Sequence, residues 1–122
     1  MNTATMDAQA TRLLIALGFS PKNIGFHYLR QALILTVQDS SALDLITKSL
    51  YPELAKHFNT KTFDIERTMR FAIGEWYKEK CPGTRIQVTE AESFLIPDKC
   101  PSNLSLLKLL STLLQNAHTS LS

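Results

Sequence analysis

Three charged residues at helical spacing near the middle of the chain have the chemistry of base recognition: Glu66, Arg67 and Arg70. The guanidinium group of an arginine pairs with the O6 and N7 acceptors of guanine and also binds phosphate. A carboxylate accepts a hydrogen bond from the amino group of cytosine, or it orients a neighbouring arginine. Residues three or four apart lie on one side of a helix. We therefore predict a helix that contacts DNA bases or adjacent phosphates through these side chains.

Four polar residues just before this helix have side chains that suit the DNA backbone: Lys56, Thr60, Lys61 and Thr62. Ammonium and hydroxyl groups contact phosphate oxygens, and such contacts fix the register of a protein on the duplex. Segment 48–80 contains seven basic and five acidic residues, and the rest of the chain is balanced, which gives a net charge of +2. The positive excess coincides with the predicted interface, although charge alone also fits an ordinary solvated helix face.

The elements that must position these side chains are predicted to form a helix-turn-helix over about residues 51–80. Pro52 suits the first turn of a short helix that ends at Phe58. Asn59 follows, and asparagine tolerates the left-handed backbone that ends a helix. Thr62 is a suitable N-cap for a longer helix over about residues 63–79. In such motifs the N-terminal part of the second helix enters the major groove.

The packing pattern of these two helices supports the same motif. Ala55 is small enough for the second helix to cross the first closely. At about 100° per residue, the apolar residues form an inward stripe: Leu54, Phe58, Ile65, Met69, Ala72, Ile73 and Trp76. Two aromatic residues, Phe63 and Phe71, fall on the outer side with the arginines. A plain helical hairpin with a solvated arginine face is the alternative interpretation.

The remaining residues are predicted to complete one domain over residues 1–122, a length that suits a single hydrophobic core. The expected helices before the motif run from Ala4 to Leu17, from Ser20-Pro21 to about Gln38, and from Ala42 to about Leu50. The second of these is apolar nearly all round, which is typical of a helix at the centre of a domain.

After the motif, Cys81-Pro82-Gly83 should end the long helix, and Ser102 should cap a leucine-rich last helix. Between them, the stretch TEAESFL suits a short helix and RIQV suits a brief extended segment. The predicted fold class is therefore all-α, a compact bundle of about six helices that contains a helix-turn-helix.

Several other functions are not supported by the composition. No apolar run approaches the roughly 18 residues that cross a bilayer, and the N-terminus lacks the order of a signal peptide, so we expect a cytoplasmic protein. Cys81 and Cys100 do not predict a structural disulfide there. The histidines are scattered, so we expect no metal or cofactor. Glu90 and Glu92 have no nearby histidine or glycine-rich phosphate loop, so we predict that the protein is not an enzyme.

From about Leu14 to Gly74 the chain resembles the C-terminal effector domain of the sporulation response regulator, stage zero sporulation protein A. The resemblance is carried by short motifs: Gly25 with Tyr28-Leu29-Arg30, Ile46-Thr47-Lys48, Leu50-Tyr51-Pro52, Phe58-Asn59-Thr60, Glu66-Arg67 with Arg70, and Ala72-Ile73. It implies a six-helix, all-α fold whose second motif helix reads a short promoter box, often as tandem copies bound by paired domains. An RNA polymerase sigma factor is a further candidate partner.

The resemblance carries base and phosphate contacts over to Glu66, Arg67 and Arg70, but not to two neighbouring positions. Asp64 stands where the family has an arginine, and Phe71 stands where a histidine is usual. Family members also carry an N-terminal receiver domain. Only about a dozen residues precede the matching region, so we expect no receiver domain in this chain.

Asp64, Phe63 and Phe71 also motivate a second hypothesis, a protein-interaction or dimerisation module of the same fold with weakened or lost DNA binding. An acid beside the groove is repelled by phosphate, and exposed aromatic residues suit a protein interface. The leucine-rich last helix is a candidate dimer surface, with a place in the core as the alternative.

Overall fold

The computed structural model describes residues 3–121, with side chains described for residues 4–116. This part of the chain forms five α-helices, two short helical turns and one antiparallel pair of strands. In chain order the elements are α1 (Thr3–Leu17), α2 (Ile24–Gln38), a 3₁₀ turn (Ser40–Leu43), a π-helical turn (Ile46–Leu50), α3 (Tyr51–His57), α4 (Thr62–Lys78), β1 (Arg85–Gln87), β2 (Ser93–Leu95) and α5 (Asn103–Leu121). The prediction of an all-α bundle of about six helices is therefore correct only in part, because a small sheet accompanies the helices.

The central helix of the domain is α2, as its apolar character predicted. Leu29, Ala32 and Leu33 are fully buried, and α2 packs against α1, α4 and α5. The buried Thr36 donates from Oγ1 to the carbonyl oxygen of Ala32 at 2.7 Å, which satisfies its hydroxyl group inside the core. α4 thus packs directly against this central helix.

The start of α2 differs from the prediction. We expected Ser20 to cap the helix and Pro21 to begin it, but the helix begins at Ile24 with Asn23 as its N-cap. The Ser20 carbonyl accepts from the backbone N–H of Asn23 at 3.1 Å, and the Ser20 hydroxyl accepts from that of Lys22 at 3.3 Å. These bonds close a turn before the helix, so serine and proline act here as turn residues.

The end of α1 is joined to the C-terminal half of α4. Gly18 adopts a φ of +104°, the left-handed conformation in which glycine commonly ends a helix. The indole N–H of Trp76 donates to the carbonyl of Leu17 at 2.7 Å, and its ring stacks on Phe19 with centroids 4.8 Å apart. A single side chain of α4 therefore both packs against the core and caps a helix end.

The helix predicted from Ala42 to about Leu50 is wrong as a continuous element. Asp39 is the capping residue, since its Oδ1 accepts from the Ser41 backbone N–H at 3.1 Å and from the Ser41 hydroxyl at 2.6 Å. The 3₁₀ turn follows this cap. The π-helical turn then leads directly into α3, so the segment is two short turns of different geometry.

The stretch after α4 forms a β-hairpin. The extended segment predicted at RIQV is confirmed as β1, but the helix predicted at TEAESFL is wrong, because Ser93–Leu95 is the paired strand β2. Arg85 lies opposite Leu95 in the antiparallel register. The hydroxyl of Thr89 accepts from two following backbone N–H groups, those of Ala91 and Glu92. Threonine makes similar bonds at a helix N-cap, so the same local sequence is compatible with a turn and with a helix start.

Candidate nucleic-acid interface

The helices α3 and α4 lie where the predicted motif places them, and their facing sides are buried. Leu54 on α3 and Ile65 and Met69 on α4 have an exposed fraction of 0%. Ala55 is also buried, as its role at the crossing predicted. The apolar stripe read from the sequence therefore faces the core, and the opposite side of α4 faces outward.

The turn between the two helices contains a left-handed residue. Asn59 has a φ of +54°, a conformation that asparagine tolerates better than most residues other than glycine. The backbone N–H of Phe58 donates to the Leu54 carbonyl and that of Thr60 to the Ala55 carbonyl, both at 2.9 Å. These bonds satisfy carbonyl groups at the end of α3 and set the direction in which α4 leaves the turn.

The outer face of α4 combines basic and aromatic side chains. Phe63 is 64% exposed and Phe71 is 67% exposed. Arg67 and Arg70 are exposed between them, and the four side chains share one side of the helix. A basic surface with exposed aromatic rings can bind phosphate and base edges, and it can also bind another protein.

Glu66 and Arg70, two of the predicted site residues, are directly paired. The Arg70 Nε donates to Glu66 Oε1 at 3.0 Å, one helical turn apart. The Arg70 side chain is 65% exposed, so its remaining N–H donors face solvent. Of the two roles expected for Glu66, this contact matches the orientation of an arginine.

Arg67 has a partner of a different kind. Its guanidinium carbon lies 5.4 Å from the centre of the Phe63 ring, which is a cation–π contact. Phe63 and Arg67 are also four residues apart on α4. Both candidate reading arginines therefore contact a residue one turn earlier on the same helix.

Two of the predicted backbone contacts have a different local role. The Thr60 hydroxyl donates to Oδ2 of Asp64 at 3.1 Å, so its hydrogen points at a carboxylate of the same chain. Thr62 is the first residue of α4 and is half-buried, whereas we expected it to be the N-cap. Lys61 occupies the N-cap position with extended backbone, and the anionic Asp64 lies in the first turn of α4, where the helix dipole favours a negative charge.

The two lysines that were predicted to contact the DNA backbone are exposed to solvent. Lys56 is exposed in the last turn of α3, and Lys61 is exposed at the start of α4. The two lysines therefore flank the turn between the helices, one before it in the chain and one after it.

A buried asparagine that the sequence did not single out ties this motif to α5. The Asn103 Nδ2 donates to the Tyr51 hydroxyl oxygen at 3.0 Å and to the Glu66 carbonyl oxygen at 3.1 Å. Asn103 is the first residue of α5, Tyr51 begins α3, and Glu66 lies on α4. One side chain therefore links three helices behind the candidate interface. The only sequence signal for such a role is the position of Asn103 directly after the Ser102 cap.

The hydroxyl of Tyr51 has a perturbed pKa. Burial raises the pKa of Tyr51 above its ordinary value, the charge of Glu66 raises it further, and the hydrogen bond from Asn103 partly offsets both effects. The phenol is therefore held in its neutral form at this junction. It serves as a structural hydrogen-bonding group rather than as a proton donor in chemistry.

Several further features of the chain bear on the other functions considered from the sequence. Within residues 3–121, no helix is long and apolar enough to cross a membrane. Among the side chains that the structure describes, no three potential metal ligands form a cluster. Cys81 and Cys100 are exposed free thiols. The third histidine of the sequence, His118, lies outside the described side chains.

Two consecutive helices that meet at a tight turn, with basic side chains on the outer face of the second, have the architecture of helix-turn-helix domains. The sequence model of the family described as sporulation initiation factor Spo0A C terminal matches residues 10–114. Because this match covers most of the chain, the protein belongs to that family of DNA-binding effector domains of sporulation regulators. The resemblance inferred from the sequence motifs is thereby confirmed. The family is one of regulatory domains rather than of enzymes.

Proposed function

We propose that this protein is a sequence-specific, DNA-binding transcription regulator that inserts α4 into the major groove of a promoter box. The observation that carries the proposal is the pair of exposed guanidinium groups, Arg67 and Arg70, on the outer face of a helix that follows a tight turn. Motifs of this architecture place the N-terminal part of the second helix against base edges. Membership of the family supports the same assignment.

Each site residue has a specific role in this proposal. Arg67 and Arg70 contact guanine edges or adjacent phosphates, and Glu66 orients Arg70 through their 3.0 Å ion pair. The exposed ammonium groups of Lys56 and Lys61 neutralise phosphates on either side of the turn.

Thr60 and Thr62 are weaker members of the proposed interface. The Thr60 hydroxyl donates to Asp64, so it must rotate before it can donate to a phosphate. Thr62 is half-buried, but its backbone N–H lies in the first turn of α4, where helix N–H groups have no intrahelical partner. A phosphate contact at Thr60 therefore requires rotation of its hydroxyl group. A phosphate contact at Thr62 uses its backbone N–H.

The proposal extends to partners and to organisation. The primary partner is double-stranded DNA, with two copies of the chain on tandem sites and an RNA polymerase sigma factor as further partners. Residues 1–122 act as one effector domain, with the reading helix over about 63–79. Because this activity requires promoter DNA, we expect it to take place in the cytoplasm.

Selection from random duplexes tests the proposal and also identifies the recognised box. The enriched duplex and a scrambled duplex are then compared by fluorescence anisotropy at about 50 mM and about 200 mM salt. We expect the enriched duplex to bind on the order of a thousandfold more tightly than the scrambled one, and both affinities to fall as salt rises. Failure to enrich any sequence, together with no binding at low salt, would contradict the proposal.

A second candidate function is favoured by the exposed aromatic residues. Phe63 and Phe71 are each more than half exposed, and Asp64 places a carboxylate near the predicted path of the phosphates. A protein-interaction or dimerisation module of the same fold would use such a surface. Size-exclusion chromatography with light scattering, with and without duplex DNA, separates the two functions. Stable self-association with no change on addition of DNA would favour the interaction module.

A further inference from the structure

The two candidate reading arginines are held by chemically different partners at the same spacing. Arg70 is four residues after Glu66 and donates to its carboxylate through Nε. Arg67 is four residues after Phe63 and lies over its ring at 5.4 Å. The ion pair occupies one N–H donor of Arg70. The contact of Arg67 places the guanidinium group over the Phe63 ring without a hydrogen bond to any carboxylate that the structure describes.

This difference matters because a guanidinium group donates in its own plane. The group carries five N–H donors in a planar fork. An aromatic ring beside this group limits the rotation of the long side chain without providing a carboxylate or carbonyl acceptor for its donors. Bidentate pairing with guanine O6 and N7 uses two of these donors side by side. An arginine held over a ring in this way has less rotational freedom, while its donors remain available for base readout.

We propose that Phe63 is a positioning residue that orients Arg67 for bidentate contact with a guanine, an inference that rests on the proposed DNA-binding function. Phe63 is 64% exposed in the first turn of α4, so its ring is not needed to fill the core. Arginine loses considerable rotamer freedom when it is immobilised at an interface. The Phe63 ring removes part of this freedom before DNA binds, which raises both affinity and selectivity at the base pair that Arg67 reads.

A double-mutant cycle tests the assignment on the enriched duplex. The variants are Phe63→Leu, which keeps apolar bulk but removes the ring, Phe63→Tyr, which keeps the ring, and Arg67→Ala, alone and combined with Phe63→Leu. The base pair read by Arg67 is the position at which Arg67→Ala loses its preference between G·C and A·T. Phe71→Leu is the matched control, because Phe71 is 67% exposed on the same helix and makes no cation–π contact among the described side chains.

The expected result is specific to an effect that acts through Arg67. Phe63→Leu should weaken binding to the enriched duplex about two- to fivefold, the range of an exposed cation–π contact, and should reduce the G·C preference at that base pair. Phe63→Tyr should keep both the affinity and the G·C preference of the wild type. In the Arg67→Ala background, Phe63→Leu should change affinity by less than about twofold, and Phe71→Leu should not alter the G·C preference at that position.

Three outcomes would overturn the assignment. If Phe63→Leu weakens binding equally with and without Arg67, then Phe63 contacts DNA itself. If Phe63→Leu leaves binding unchanged or tightens it while Arg67→Ala weakens it, then the ring does not help Arg67, and the proposed function still stands. If the wild-type protein binds no duplex, both the positioning role and the proposed function fail. Unchanged thermal unfolding of each variant shows that the effects are not caused by loss of the fold.

Discussion

At the scale of single residues, four charged side chains of the candidate interface already have partners within the chain. Arg67 contacts Phe63, Arg70 contacts Glu66, and the carboxylate of Asp64 accepts from Thr60. The position of the candidate arginines on the outer side of α4 could be predicted from helical spacing. Their pairings could not, because a spacing of four residues permits a contact but does not determine which rotamer each side chain adopts.

Asp64 provides the clearest test of charge at this scale. Replacing Asp64 with Asn keeps an oxygen that can accept from the Thr60 hydroxyl but removes a negative charge from the approach of the DNA phosphates. We expect tighter binding to enriched and scrambled duplexes alike, by on the order of 1 kcal/mol or less, with the gain fading as salt rises. Fluorescence anisotropy at two salt concentrations measures this effect.

The same substitution should have an opposite effect on stability. Asp64 lies in the first turn of α4, where an anion interacts favourably with the helix dipole, so Asp64→Asn should lower the free energy of unfolding by about 0.3–1 kcal/mol. Urea denaturation measures this loss. Weaker DNA binding by the stably folded variant would show that the carboxylate makes a favourable contact in the complex, contrary to the expectation.

At the scale of elements, helices with strong local signals were predicted well, and elements that depend on distant partners were not. The end of α1 follows from Gly18, the left-handed Asn59 ends the α3 segment, and the apolar stripe of α4 follows from its periodicity. The pairing of β1 with β2 depends on residues six to ten positions apart in the chain and on burial of Phe94 at 4% exposure. Helical periodicity and capping patterns contain no information on that pairing.

The packing of α4 against α2 depends on the close approach of the two helices at Gly25. A Cβ atom added at Gly25 would lie 2.6 Å from the Ala72 Cβ and 3.3 Å from the Thr68 carbonyl oxygen. Gly25→Ala should therefore force the two helices apart and lower the free energy of unfolding by about 1–3 kcal/mol. Thermal denaturation followed by circular dichroism, without DNA, measures the change.

Gly74 offers the matched control for this substitution. It lies within α4, and an added Cβ would meet no atom within 4 Å. Gly74→Ala should therefore stabilise the protein by about 0.5–1 kcal/mol through the higher helix propensity of alanine. Equal stabilisation by Gly25→Ala and Gly74→Ala would show that α2 and α4 are not in tight contact at Gly25.

At the scale of the whole molecule, the hydrogen bonds of Asn103 connect the helix-turn-helix to the last helix. The side chain of Asn103 joins Tyr51 at the start of α3 to the Glu66 carbonyl on α4. Such a long-range network has no local sequence signature, which is why the sequence alone assigns no linking role to Asn103 or Tyr51. Its place behind Glu66 indicates that α5 helps to fix the orientation of α4.

The buried hydroxyl of Tyr51 should make the free energy of unfolding depend on pH. Because burial raises the pKa of Tyr51 in the folded protein above its ordinary value of 10.0, the folded state holds the phenolic proton more tightly than the unfolded state. The stabilising contribution of this group should therefore be fully present and independent of pH near neutral pH, and it should be lost as the pH rises above about 10.

Tyr51→Phe separates the contribution of this hydroxyl from other alkaline effects. Near neutral pH the variant should lose about 0.5–1.5 kcal/mol, because the Asn103 amide loses one hydrogen-bond partner. Between about pH 7 and about pH 11, its free energy of unfolding should decline less than that of the wild type. Urea denaturation at both pH values measures the difference, and parallel declines in the two proteins would contradict the prediction.

The central claim, that α4 reads DNA through Arg67, is tested most directly by the affinity of Arg67→Ala for the enriched duplex. Fluorescence anisotropy should show a loss of roughly 1–3 kcal/mol in binding free energy relative to the wild type. The matched control is Arg12→Ala, which removes an exposed arginine from α1 and should bind like the wild type. Equal binding by the wild type and Arg67→Ala would contradict the claim and remove Arg67 from the groove.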